Sequence, residues 1–214
     1  MQVLVTGFEP FGGDAINPSA LLAAQLGGSA IAGAAVAHEI LPCAFAPLQA
    51  RLHHIIAAHR PDLVIAFGLA TGRAGISLER VAINVIDARI PDNEGDSPID
   101  QPVVTDGPAA YFTTLPIKAA MAELQASSLP TEISQTAGTY VCNATFYGLM
   151  HLAATSFPGL RAGFVHLPCL PDMPAARAGV PSLAMQDMHR AGRMIIEACL
   201  ACNTDRRIAA GAVA

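Results

Sequence analysis

Two rhythms of apolar and polar positions alternate along the chain. Short, unbroken apolar runs read as strands buried on both faces, and longer stretches with apolar residues every three or four positions read as helices. Residues 3–6 form the first run and end in a glycine-rich turn over residues 7–13. Asn17-Pro18 then opens a helix, a capping side chain followed by proline at the first helical position. That helix runs through Leu21, Leu22 and Leu26 and stops at Gly27-Gly28. Residues 36–41 predict a strand. Residues 44–60 carry Phe45, Leu48, Leu52, Ile55 and Ile56 at helical spacing, and Pro61-Asp62 ends the pattern. Leu63-Val64-Ile65-Ala66-Phe67 is apolar throughout, which suits the centre of a parallel sheet.

The second half continues the alternation. Residues 76–87 predict a strand or strand pair, 89–108 a long loop rich in Pro, Asp and Gly, 111–115 a short strand and 117–125 a helix. A β-prone stretch covers 131–134. The run Gly138-Thr139-Tyr140-Val141-Cys142-Asn143 reads as strand-like up to the cysteine, with a helix over 144–156 directly after it. Residues 162–165 predict a strand, 168–181 a second Pro-rich loop, and 183–199 a last amphipathic helix. Strands alternating with helices imply a single-domain α/β sandwich, 1–214, around a twisted, largely parallel sheet. The Ala- and Gly-rich tail after Arg207 is expected to be loose.

Composition narrows the function classes. With 52% hydrophobic and 14% charged residues in 214, the chain can build a full core and is not of the disordered class. A formal charge of −5 and no basic run argue against nucleic acid as a partner. The apolar stretches are broken before the ~20 residues that a membrane span needs. The N-terminus lacks the basic and long apolar regions of a signal peptide, so a cytoplasmic location is expected. Five cysteines, an odd number, read as reduced thiols rather than a disulfide framework. Cys199 and Cys202 form a C-x-x-C without a second pair or a nearby histidine and read as ordinary helix residues. His53, His54 and His59 share a helix with no carboxylate at ligand spacing, so no metal site is expected.

Cys142 is the leading chemical candidate. A thiol at the start of a helix sits in the field of unpartnered backbone N–H groups, which favours the nucleophilic thiolate. His166 directly follows the apolar run Phe164-Val165, at a carboxyl strand end where sites of α/β sheets gather. The two residues make a nucleophile and base, or a buried packing pair; residue type alone leaves both open. Glu79, in a β-prone context, pairs with Arg80 or orients an imidazole. The glycine-rich turn has neither G-x-G-x-x-G nor Gly-Lys-Ser/Thr and is no phosphate cradle. Its Phe8 and Phe11 line a small apolar pocket or cover the sheet end. Arg89 closes a site or pairs with Asp87 or Asp92.

Three motifs taken together resemble one family. They are Gly7-Phe8-Glu9-Pro10-Phe11-Gly12-Gly13 with Asn17-Pro18-Ser19; Ser77-Leu78-Glu79-Arg80-Val81-Ala82-Ile83-Asn84 with Asp87-Ala88-Arg89-Ile90-Pro91-Asp92-Asn93; and the Cys142 run with Phe164-Val165-His166-Leu167-Pro168. Their order over nearly the whole chain is similar to the pyroglutamyl peptidase I family of cysteine peptidases. The resemblance implies removal of an N-terminal pyroglutamyl residue from peptides by a Cys142, His166 and Glu79 triad. It implies substrate-binding positions at Phe8, Phe11, Asn17, Leu69, Arg89, Ile90 and Val141. No cofactor or metal is implied, and a cytoplasmic homotetramer is. The chain departs from the family pattern at Leu69 (commonly Gln), Ala144 (His), Cys169 (Tyr) and Cys43 (Thr). Those departures keep two alternatives in view: another N-terminally blocked substrate, or a non-catalytic binder of a lactam.

Overall fold

In the computed structural model, which describes residues 1–211, the chain begins β1 (Gln2–Phe8), α1 (Pro18–Leu26), β2 (Ala30–Ile31), β3 (Ala34–Leu41), α2 (Leu48–His59) and β4 (Leu63–Leu69). It continues β5 (Ile76–Glu79), β6 (Val81–Ile83), β7 (Ala110–Phe112), α3 (Ile117–Ala126), β8 (Thr131–Ser134) and α4 (Val141–Thr155). It ends β9 (Arg161–Leu167), α5 (Pro174–Arg177) and α6 (Met185–Ala201). Seven strands make one sheet in the order β2-β3-β1-β4-β9-β5-β8, and β6 and β7 form a small antiparallel ribbon.

Side chains alternate along the central strands and so feed two cores. Val3, Val5, Leu63, Ile65, Phe67 and Val165 pack with α1, α3 and α6 on one face. Leu4, Phe8, Val64, Ala66, Ala162 and Phe164 pack with α2 and α4 on the other. The α/β sandwich expected from the sequence is therefore present. Asn17 caps α1 as read, its Oδ1 accepting from the Ser19 N–H at 3.1 Å. Among the described residues no helix is long and apolar enough to cross a membrane.

Four local readings change. The pair β2 and β3 forms a short antiparallel edge that its two-residue strand was too brief to announce. The sheet is mixed, because β5 runs antiparallel to β9 while pairing parallel with β8. The second Pro-rich loop contains one helical turn, α5. The largest change concerns Cys142, which is the second residue of α4 and not the end of a strand. Gly138, at φ +78°, turns the chain there. Thr139 spends its hydrogen bonds on a loop: its carbonyl accepts from the Asp87 N–H at 3.0 Å, and its hydroxyl donates to the Asp87 carbonyl at 2.8 Å. In the tail, the Ala210 carbonyl accepts from Arg80 Nη2 at 3.1 Å. Residues 212–214, part of the tail expected to be loose, lie outside the described residues.

Candidate active site

Gly68 and His166 are direct neighbours across the parallel pair β4 and β9. Both belong to the sheet face that carries α4. A Cβ at position 68 would stand 2.9 Å from Cys142 Sγ and 2.7 Å from the Phe164 ring. The thiol therefore occupies the space above a bare glycine, on the strand position next to His166. Helix α4 holds it there through Asn143, which is fully buried. The Asn143 side chain accepts from the Ile83 N–H at 3.0 Å and donates to the Ile83 and Val85 carbonyls at 2.9 and 3.0 Å.

The antiparallel strand β5 supplies the acid. Ser77 lies opposite His166, which makes Glu79 its diagonal neighbour on the same face. Glu79 Oε1 stands 2.7 Å from His166 Nδ1, and both residues are buried. A proton on Nδ1 is held by this bond and leaves Nε2 as the basic atom. Arg73 reaches the same oxygen, with Nη1 2.9 Å from Glu79 Oε1.

Burial sets the resting charges. Desolvation is the largest influence on the Cys142 thiol and pushes its pKa well above the ordinary value. Nearby Cys43 and Glu79 push the same way, while Arg73 and the backbone N–H of Cys142 oppose them. For His166 burial again leads and lowers the pKa, against the pull of Glu79. This burial opposes the helix field on which the sequence expectation of a thiolate rests, while Cys142 keeps partial exposure. Both shifts favour the neutral form of each group.

The remaining expected positions separate into two groups. Phe11 is half-buried with its ring 6.1 Å from Tyr140, and Ile90, 45% exposed, lies with exposed Arg89 on the loop after β6. That loop is pinned close by: Tyr140 Oη donates to the Pro91 carbonyl and Asn93 Nδ2 to the Pro10 carbonyl, both at 3.0 Å. Among the described residues Arg89 forms no ion pair. Asp92 instead accepts from the N–H groups of Phe45, Glu94 and Asp96 at 2.8–2.9 Å.

The second group is interior. Phe8 is 2% exposed and packs on Phe164 with centroids 6.2 Å apart, and Val141 is fully buried. Asn17 spends its amide within the fold, Oδ1 on Ser19 and Nδ2 on the Glu9 carbonyl at 3.1 Å. The Leu69 side chain lies in the α1, α3 and α6 core, across the sheet from Cys142. Its side chain is thus no part of the thiol's surroundings. Strand alternation is the reason: position 68 faces α4, so position 69 faces away.

Comparison with known proteins places the chain in a family. Residues 1–202 match the family described as Pyroglutamyl peptidase. The chain belongs to that family. A pyrrolidone-carboxylate peptidase of Chromobacterium violaceum is 50% identical over 99% of this chain and 98% of its own. One from Escherichia fergusonii is 47% identical over 98% of each. Among solved structures, pyroglutamyl peptidase I from Bacillus amyloliquefaciens superposes with a TM-score of 0.94 at 40% identity, covering 97% of this chain and 99% of that one. A mutant pyrrolidone carboxyl peptidase from Pyrococcus furiosus gives 0.91 at 42% identity, covering 94% and 99%.

Three of the departures read from the sequence are buried residues. Ala144 is buried in α4, and Cys169 is buried with its thiol 3.7 Å from Thr71 Oγ1. Cys43 is buried against Tyr140, and its thiol pKa is pushed up to about 12 by that burial. Sequence reasoning missed Gly68, Arg73 and Asn143. Gly68 had a signal, as a glycine ending an otherwise apolar strand. Arg73 had a signal only in the resemblance, as the arginine closing the segment 68–73; it meets Glu79 from the loop directly before β5. Among the described residues no group of three or more His, Cys, Asp or Glu side chains is placed to hold a metal ion.

Proposed function

We propose that this chain is a cysteine peptidase that hydrolyses the N-terminal pyroglutamyl residue from peptides. The observation that carries the reading is the Glu79–His166 hydrogen bond at 2.7 Å, with the Cys142 thiol over Gly68, the neighbour of His166 across the sheet. Cys142 is the nucleophile, His166 the general base and acid, and Glu79 the group that fixes the imidazole.

Each step balances on these residues. His166 Nε2 takes the thiol proton as Sγ bonds to the pyroglutamyl carbonyl carbon. The imidazolium returns that proton to the departing amine as the C–N bond breaks, leaving a thioester on Cys142. Water then attacks the thioester carbon and gives its proton to His166. Collapse expels the thiolate, which recovers that proton and releases pyroglutamate. Backbone N–H groups at the start of α4, with Arg89, stabilise the oxyanion; one such donor is typically worth about 3 kcal/mol.

The lactam ring is flat and neutral, so an apolar slot suits it better than a charged one. Phe11 and Ile90 form its walls, Phe8 and Val141 back them, and Leu69 and Asn17 act through the backbone and the scaffold. No cofactor enters the scheme. A cytoplasmic location and a homotetramer accompany the reading by family resemblance, and sedimentation of the purified protein tests the second.

The deciding experiment is cleavage of a pyroglutamyl-amide reporter. Activity is expected in the native chain, lost in Cys142→Ala and blocked by thiol alkylation. Turnover that survives both changes sinks the mechanism. Faster turnover of another N-terminally blocked peptide transfers the assignment to that substrate.

A further inference from the structure

Glu79 presents a physical difficulty that the triad alone does not resolve. Its side chain is fully buried, and an ionised carboxylate in such a place needs a compensating charge. His166 cannot serve, since a general base must rest neutral. Arg73 Nη1 lies 2.9 Å from Glu79 Oε1, the same oxygen that holds His166 Nδ1. The other arm of the guanidinium, Nη2, donates to the Thr136 carbonyl at 2.9 Å. Thr136 belongs to the loop between β8 and α4, which leads into Cys142. One planar fork thus joins the loop after β4, the acid on β5 and the segment that delivers the nucleophile. A fixed fork of donors suits such a three-way tie, and a flexible ammonium does not.

We propose that Arg73 is a positioning residue that pairs with the buried Glu79 carboxylate and ties Glu79 and His166 to the nucleophile's loop; this rests on the peptidase reading above. The charged and titratable groups facing the pair are few. Arg73 comes from the loop after β4, Glu79 from β5, Cys142 from α4 and Cys43 from the segment after β3. Glu132 on β8 stands 3.8 Å from Arg73 Nη1 and accepts from Ser77 Oγ at 2.8 Å. Arg73 and Glu79 cancel, so protonating His166 would bury a net positive charge. Without Arg73 that opposition to the imidazolium is removed, since the Arg73 charge is one of the influences holding His166 down. Its apparent pKa must then rise.

The test compares Arg73→Gln and Arg73→Lys with the native chain. Reporter kcat/KM is measured against pH, and the His166 ring is titrated by NMR in parallel. In Arg73→Gln the acid limb is expected to move up by about one unit or more, with kcat falling about tenfold at neutral pH and KM little changed. Arg73→Lys is expected to restore the limb and only part of kcat, since a point charge cannot span both Glu79 and Thr136. The ring titration is expected to move with the limb. Coincident limbs and ring titrations in folded Arg73→Gln overturn the proposal. Should only Arg73→Lys fold, native kcat in that variant overturns it. If the native chain cleaves no pyroglutamyl reporter, the peptidase reading fails, while the ring titration still decides the electrostatic role of Arg73.

Discussion

Cys142 Sγ stands 2.9 Å from the point where a side chain at Gly68 would begin. Real Cβ atoms do not approach sulfur that closely, so the thiol is in its place only because residue 68 has no side chain. The same point lies 2.7 Å from the Phe164 ring, which is fully buried and cannot retreat.

Gly68→Ala is therefore expected to displace the nucleophile before it disrupts the fold. Overpacking of this kind costs roughly 1–3 kcal/mol, within reach of a domain of this size. The expected outcome is at least a tenfold loss of kcat with a modestly lowered Tm and a retained circular dichroism spectrum. Native kcat in a folded Gly68→Ala would show that the thiol does not need this space.

How much of this was legible in the sequence depends on the range over which each feature is decided. Leu63-Val64-Ile65-Ala66-Phe67 announced a central strand, because burial on both faces leaves a local, continuous apolar run. Asn17-Pro18 announced a helix start, because capping is decided within three residues. The Cys142 run misled in detail. Thr139, Tyr140 and Val141 have high strand propensity, yet contacts with Asp87 and the positive φ of Gly138 decide their conformation. Arg73 stayed hidden for a different reason. It stands on the loop directly before β5, and the path of that loop, which residue types alone do not announce, decides whether it meets Glu79.

Asn17→Ala separates a scaffold role from a binding role. The native side chain accepts from the N–H and hydroxyl of Ser19 and donates to the Glu9 carbonyl. Ser19 Oγ in turn accepts from the Phe8 N–H at 3.0 Å, so the cap fixes the turn that carries Phe8 and Phe11. Removing the cap is expected to cost about 1 kcal/mol in urea denaturation, with KM for the reporter changed little. A large rise in KM at unchanged stability would instead make the amide a direct substrate contact.

The resting ionisation of Cys142 and His166 gives a prediction with a definite sign. Burial raises the thiol and lowers the imidazole, so both are expected to rest uncharged at neutral pH. The acid limb of kcat/KM, set by protonation of His166, is then expected below about pH 6.5, the ordinary histidine value. Thiolate absorbance near 240 nm, compared with Cys142→Ser, should be absent at pH 7. Stability follows the same shifts. A thiol whose pKa is raised by folding contributes fully below about pH 8.5, and the contribution is lost as pH rises towards its folded value. Cys43 and Cys199, both pushed up to about 12 by burial, act in the same direction, so Tm should fall steadily from about pH 9 upward. Cys199→Ala, which removes one of these thiols, should flatten that fall. The lowered His166 acts oppositely: its contribution is present above about pH 6.5 and is lost as pH drops. A thiolate signal that titrates in with a midpoint below 6.5 would reverse the assignment, placing a thiolate–imidazolium pair in the resting enzyme and making the field of α4 stronger than the burial that opposes it.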